Sequence, residues 1–152
     1  MSLETVRAFF AASAPDIEII ETALSSATVA QAAEAHGVDP AQIAKTICLR
    51  VADEPILVVA SGLARLDNRK FKDAFGVKGR MLGADEVVAV TSHPVGGVCP
   101  FGLPSRLRIY CDISLKQFDL VVPAAGSTNS AVRISTNRLA EITNATWVDV
   151  CQ

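Results

Sequence analysis

Ile43-Ala-Lys45-Thr-Ile-Cys48-Leu-Arg-Val-Ala52-Asp-Glu54-Pro-Ile-Leu-Val-Val-Ala-Ser61 is the stretch from which the architecture of this chain can be read. Two aliphatic, β-branched runs, Lys45 to Ala52 and Pro55 to Ser61, flank the polar pair Asp53-Glu54, which is the pattern of a tight hairpin. Side chains alternate along a strand, so Lys45, Ile47, Leu49 and Val51 share one face while Thr46, Cys48 and Arg50 share the other. The first of these faces is apolar except for Lys45 at its entry. An ammonium there fits two placements, the rim of a cavity or a side chain that snorkels to solvent, and alternation leaves both open.

Elements on either side extend the picture. Leu3, Val6, Phe9 and Phe10 recur at helical spacing and predict a first helix over about residues 2–13. Ile17 to Glu21 reads as a short strand. Thr28-Val-Ala-Gln31 matches a capping box with Gly37 placed to end its helix, and Asp39-Pro40 opens a further turn. Asp67 is a suitable N-cap, Leu66 and Phe71 form a hydrophobic staple across it, and Gly76 closes the segment. A helix near Ala84 to Val90 leads into Thr91 to Ser105, whose three prolines and three glycines predict an irregular loop. Strands near Arg106–Cys111, Phe118–Val122 and Ala131–Ile134, a helix near Thr136–Thr143 and a strand near Thr146–Val150 complete the chain. Short strands that often follow one another directly predict an α+β fold with a curved, mixed sheet.

With 152 residues, half of them apolar, the chain is long enough for one well-filled core, and no repeat or linker divides it, so residues 1–152 form one domain. Its apolar runs are too short to span a bilayer, and Met1-Ser2-Leu3-Glu4 lacks the basic start of a secretory signal, so a cytoplasmic location is expected. Cys48, Cys99, Cys111 and Cys151 lie 51, 12 and 40 residues apart without a CxxC pair, and His36 and His93 are not at zinc-finger spacing. No metal site and no cofactor are expected, and Cys48 and Cys111 read as buried small apolar side chains. A net charge of −2 argues against non-specific coating of nucleic acid. Charge is uneven, however: residues 65–80 hold six bases against two acids, with Arg69, Lys70 and Lys72 clustered. This patch suits either weak contact with a phosphate backbone or a solvated helix face.

Two loops could carry chemistry. In His93-Pro-Val-Gly-Gly-Val-Cys-Pro-Phe-Gly102, glycines at 96, 97 and 102 allow close backbone approach while Pro94 and Pro100 stiffen the turn, which suits main-chain binding of an ester or amine. Ala124-Ala-Gly-Ser-Thr-Asn-Ser130 is small and polar between strands, as a pocket wall or a plain turn would be. Cys99 is a loop thiol six residues from His93 and competes as a nucleophile, although Pro100 constrains it and no helix N-terminus lowers its pKa. Asp112 suits either bracing of the pocket through hydrogen bonds or a cap on the turn at Ile113-Ser114, and the cap is the favoured reading.

Ile43-Ala-Lys45-Thr-Ile, Val95-Gly-Gly-Val-Cys-Pro-Phe-Gly102, Asp112-Ile-Ser-Leu115 and Ala124-Ala-Gly-Ser127 occur in the order found in the YbaK/ProX (YbaK/EbsC) family, and the chain resembles that family from about Thr28 to Val150. The family is similar to the editing domain inserted in bacterial prolyl-tRNA synthetases. The resemblance implies a barrel-like, largely antiparallel sheet with flanking helices. It also implies trans-editing: deacylation of mischarged tRNA, commonly tRNA for proline carrying alanine, cysteine, serine or another small residue. The partners implied are the tRNA acceptor end and prolyl-tRNA synthetase. The family's essential lysine falls on Lys45, and its substrate loop falls on Gly97 to Pro100, followed by Phe101 and Gly102. Thr46, Gly96, Val98, Cys99, Gly126, Ser127 and Asn129 complete the implied substrate-binding set. Some relatives use a histidine near the third loop; here Ser127-Thr-Asn-Ser130 fills that region.

The expected mechanism needs no Ser-His-Asp set, because an aminoacyl ester is already labile and orientation with charge stabilisation can supply much of the acceleration. N–H groups of the Gly97–Gly102 loop would steady the ester carbonyl, Lys45 would hold the ester or adenosine phosphate end, and water or a ribose hydroxyl would attack. Two other readings compete: a non-catalytic module that docks on tRNA or a synthetase, and a small-molecule thiol hydrolase working through Cys99.

Overall fold

The computed structural model describes residues 2–104 and 106–152. The hairpin is its centre: β2 (Ile43–Val51) and β3 (Glu54–Ser61) pair antiparallel from Ala44↔Ser61 to Val51↔Glu54. The turn sits one residue earlier than expected. Ala52 and Asp53 both take positive φ, 49° and 69°, the left-handed pair that matches the twist of a two-residue hairpin.

The other elements are α1 (Ser2–Ser13), β1 (Ile20–Glu21), α2 (Val29–His36), α3 (Asn68–Phe75), β4 (Arg80–Met81) and α4 (Ala84–Thr91). They are followed by β5 (Arg108–Asp112), β6 (Leu120–Pro123), β7 (Ser130–Ala131), β8 (Ile134–Ser135), α5 (Thr136–Ile142) and β9 (Thr146–Val148). The main sheet runs β8-β6-β2-β3-β5-β9, with β4 on β2, and curls into a half-barrel flanked by helices. Antiparallel pairings (β2–β3, β2–β4, β6–β8) stand beside parallel ones (β2–β6, β3–β5, β5–β9), so the mixture is even. β1 and β7 form a separate short pair.

Both faces of the hairpin are covered, which is why Ile56 to Ser61 is buried without interruption. Leu49, Ile56 and Val58 pack under Phe71 of α3, while Val59 and Ala44 join Phe10, Phe101 and Leu115 on the other side. The local signals for α2 and α3 operate as expected. Thr28 and Gln31 cap each other reciprocally, Asp67 accepts from the Arg69 and Lys70 N–H groups, and Gly37 and Gly76 close their helices at φ 65° and 78°. Leu66 and Phe71 lie in one cluster, as a staple requires.

Some expectations need correction. The strand expected at 17–21 is reduced to two residues, and β4 arises in a stretch to which no element was assigned. The strand expected over 131–134 is two pieces with different partners, β7 on β1 and β8 on β6. Ser105, at the end of the expected irregular loop, lies outside the described residues.

Asp112 does more than cap its turn. It is 1 % exposed, and its two oxygens accept from Ser114 N at 2.9 Å and Val150 N at 2.8 Å, tying β5 to the final segment. Asp112→Ala removes a charged acceptor from two main-chain donors, and a loss of about 3 kcal/mol is expected in urea unfolding.

Candidate functional site

β2 pairs with β6 only through Ile43 and Ala44, and with β4 only through Leu49 and Arg50. Over the gap between them lies a cavity of about 400 Å³, in the size range that holds a drug-sized ligand. Residues 43–48 of β2 form its floor, and α2 covers one side through Val29 and Ala32. Leu82 and Val87 close the end near α4, and Val95, Gly96 and Val98 supply the loop wall. Ala124, Ser130 and Ala131 close the end near β7.

Lys45 lines this cavity and is half-buried. Its Nζ donates to the carbonyls of Gly62 (3.2 Å) and Ala64 (2.5 Å) in the turn after β3. Neither placement that alternation left open describes it fully: Lys45 borders the cavity, while its amine is tethered to carbonyls of two residues that do not line it. Burial pulls its pKa below the ordinary lysine value; Cys151 opposes the fall and Arg65 adds to it. Thr46 also lines the cavity, and its Oγ1 is buried without a hydrogen-bond partner.

The two expected loops meet. Gly97 O accepts from Gly126 N at 3.1 Å, and Gly97 packs against the main chain of Ser127. Gly96, at φ 93°, presses on Ala27 and closes the loop wall against the segment that precedes α2. Behind the loops sits His93, fully buried. Its Nε2 donates to Phe101 O at 2.7 Å, and Ser2 Oγ lies 2.5 Å from both His93 Nδ1 and Gly126 O. Burial holds the imidazole pKa below its usual value, against the Phe101 hydrogen bond.

The remaining expected residues divide. Gly96 and Val98 line the cavity, but the Gly97 N–H is already engaged by Pro94 O at 2.9 Å. Cys99 and Phe101 point into the core with 0 % exposure, and Pro100 and Gly102 border a different and larger depression of about 990 Å³ beside Leu103 and Tyr110. Gly126, Ser127 and Asn129 stand behind the wall: Ser127 Oγ bonds Asn129 Oδ1 and Ser130 Oγ, and Asn129 Nδ2 reaches Thr22 O. Sequence reasoning missed Val29, Ala32, Leu82 and Val87, whereas Ala124 and Ser130 belong to the loop it read as a pocket wall or a plain turn. The apolar face of α2 was a visible signal for Val29 and Ala32; nothing local announced that α4 would close the far end.

Cys99 is not arranged as a nucleophile. Burial pushes its thiol pKa up to about 12, and the side chain makes only long contacts with His93 Nε2 (3.5 Å) and Phe101 O (3.7 Å). Alkylating reagents are expected to leave the activity of the folded protein untouched, and Cys99→Ala should retain it within a few-fold. Stoichiometric inactivation by iodoacetamide would reverse this reading.

On α3, Arg69 and Lys72 are exposed, whereas Lys70 Nζ is engaged by Asp149 Oδ1 (3.1 Å) and Cys151 O (2.9 Å). No helix among the described residues is long and apolar enough to cross a membrane.

Residues 25–142 match the model of the aminoacyl-tRNA editing domain. The chain is 46 % identical over 154 residues to the uncharacterized protein YwhH of Bacillus subtilis, covering 100 % of this chain and 98 % of that one. It is 27 % identical over 123 residues to a proline–tRNA ligase of Citrifermentans bemidjiense; the match takes in 76 % of this chain and 22 % of the ligase. Among solved structures, a candidate trans-editing enzyme for prolyl tRNA synthetase superposes with a TM-score of 0.92 at 27 % identity, covering 99 % of this chain and 97 % of that one.

Proposed function

Since the chain belongs to the aminoacyl-tRNA editing domain family, we propose that it is a trans-editing deacylase that hydrolyses the ester bond of mischarged tRNA, with tRNA for proline carrying alanine, cysteine or serine as the substrate class. The observation that carries this reading is the cavity of about 400 Å³ that has Lys45 among its floor residues and Gly96 and Val98 in its loop wall. The volume suits an aminoacyl group together with part of its nucleoside, and an apolar lining with few polar groups suits selection by size.

In this mechanism the aminoacyl end enters between β2 and the loop. Lys45 provides fixed positive charge beside the ester or the adjoining phosphate, where low dielectric strengthens it. Water attacks the carbonyl carbon, the C–O bond to the ribose breaks, the departing ribose oxygen takes up a proton and the free amino acid leaves. Attack by the neighbouring ribose hydroxyl would first shift the ester to that hydroxyl, and water would then release the amino acid. Selectivity comes from the cavity's size, which admits small side chains and disfavours the ring of proline; a single methylene contributes only about 1–3 kcal/mol to such discrimination. Exposed Arg69 and Lys72 offer the tRNA backbone a weak, salt-sensitive contact.

The test is deacylation of alanyl-, cysteinyl-, seryl- and threonyl-tRNA for proline, with prolyl-tRNA as control. Hydrolysis of at least one mischarged species well above its spontaneous rate, with prolyl-tRNA spared, supports the reading. A second reading has an observation of its own: the Lys45 ammonium is tethered to two carbonyls, as a structural lysine would be. On that reading the chain is a non-catalytic module that binds charged tRNA or prolyl-tRNA synthetase, and the same panel would give binding without turnover.

A further inference from the structure

The floor of the cavity is an unpaired strand edge. Leu82 N donates to Cys48 O at 3.2 Å, so Cys48 turns its main-chain groups towards the edge where β4 lies. Main-chain direction repeats every second residue, so Thr46 turns its N–H and C=O to that same edge, inside the gap between β4 and β6. No strand residue stands opposite Thr46 on this side, because the β6 pairing stops at Ala44 and the β4 pairing starts at Leu49. The Thr46 Oγ1 is buried and has no hydrogen-bond partner. Buried polar groups are normally satisfied, so the orphaned Oγ1, beside a main-chain N–H and C=O that face a gap with no strand opposite, marks a place for a polar ligand at the floor of the cavity.

We propose that the Thr46 edge reads the α-ammonium and the carbonyl of the aminoacyl group by main-chain pairing, as a residue of an added antiparallel strand would. The Thr46 N–H donates to the ester carbonyl, and the α-ammonium donates to Thr46 C=O and to Thr46 Oγ1. Such a pair exchanges both bonds at one residue and makes no contact with the side chain, so it reads what all aminoacyl esters share and leaves size selection to the apolar walls. It also takes over the carbonyl contact that the sequence assigned to the Gly97 loop, whose Gly97 N–H is engaged by Pro94 O. This inference rests on the deacylase reading above and adds a requirement for a free α-ammonium.

The experiment has a turnover arm and a binding arm. In the first, alanyl-tRNA for proline is compared with N-acetyl-alanyl-tRNA and with lactyl-tRNA, an α-hydroxy ester carrying the same methyl side chain, each rate being divided by its spontaneous rate. Both analogues are expected to fall at least tenfold, the scale of a lost charge-assisted hydrogen bond. In the second, 3′-alanylamino-3′-deoxyadenosine and its N-acetyl derivative are titrated calorimetrically into wild type and Thr46→Val, a near-isosteric change whose fold is checked by thermal melting. Wild type should bind the free amine at least tenfold more tightly, and Thr46→Val should narrow that gap by weakening the free amine alone. Equal binding of the two nucleosides, or equal rates for the three esters, overturns the proposal. Preferential binding of the free amine with no hydrolysis of any ester would leave this proposal standing and sink the deacylase reading instead.

Discussion

Replacing Lys45 by alanine is expected to lower kcat/KM for deacylation by on the order of a hundredfold or more, the usual cost of removing one preorganised electrostatic partner from a reacting ester. The tether to Gly62 O and Ala64 O complicates the experiment. Removing the amine leaves two carbonyls without their donor, and a stability loss of about 1–3 kcal/mol is expected alongside the loss of rate. Rates must therefore be measured well below the melting temperature, with urea titration to establish that the variant is folded there. Full activity in folded Lys45→Ala would refute the role, and the structural reading of the tether would take its place.

The charge of Lys45 can be tested separately through pH. Burial is the largest influence on the amine and holds its pKa below 10.5. The charged form is present below that depressed pKa and is lost as pH rises through it. After subtraction of spontaneous ester hydrolysis, the rate should fall on the alkaline side at a lower pH than an ordinary lysine would give. Lys45→Arg, which keeps its charge across this range, should lack the alkaline fall if it retains measurable turnover. An unchanged alkaline limb in that variant would assign the titration to another group.

The hairpin and the α2 and α3 caps were legible because each depends on residues close in sequence, and Cys48 and Cys111 were legible as core residues because a thiol without a pairing or metal-binding pattern packs as a small apolar group. Ala52-Asp53 shows the limit: composition located the turn to within one residue, while the left-handed pair that fixes the register is a property of the backbone. The alternation rule identified Lys45 as unusual but could not say what lay above it, since that depends on Val29, Val95 and Leu82 arriving from three separate segments. The glycine loop was assigned to the substrate as one unit, yet its residues diverge: Gly96 and Val98 reach the cavity while Cys99 and Phe101 turn into the core. The period of a loop is not fixed by hydrogen-bond repetition as a strand's is, so side-chain direction in it could not be read from spacing. The gap at Thr46 was invisible for a similar reason. It exists because two short strands, β4 and β6, stop short of each other, and nothing in Thr46 itself reports where its neighbours end.

Gly97→Ala should be nearly as damaging to deacylation as the loss of Lys45, through geometry alone. A Cβ at Gly97 would stand 2.8–2.9 Å from the N, Cα and C atoms of Ser127, main-chain atoms that cannot rotate away. The loop at 93–102 must then separate from the loop at 124–130, breaking the bond from Gly126 N to Gly97 O. Gly96 and Val98 flank this position in the cavity wall, and a shift of the wall by about 1 Å costs on the order of a hundredfold when a reacting group must be held in place. Gly83→Ala is the matched control, because Gly83 has φ −71° and an added Cβ there meets nothing within 4 Å. The two variants carry the same one-carbon change, so a large rate loss in the first beside a silent second would locate the effect in the contact between the loops. Equal, near-normal rates in both would mean that the seam at Gly97 and Ser127 yields without disturbing the substrate, and the loop wall would then have no part in positioning the ester.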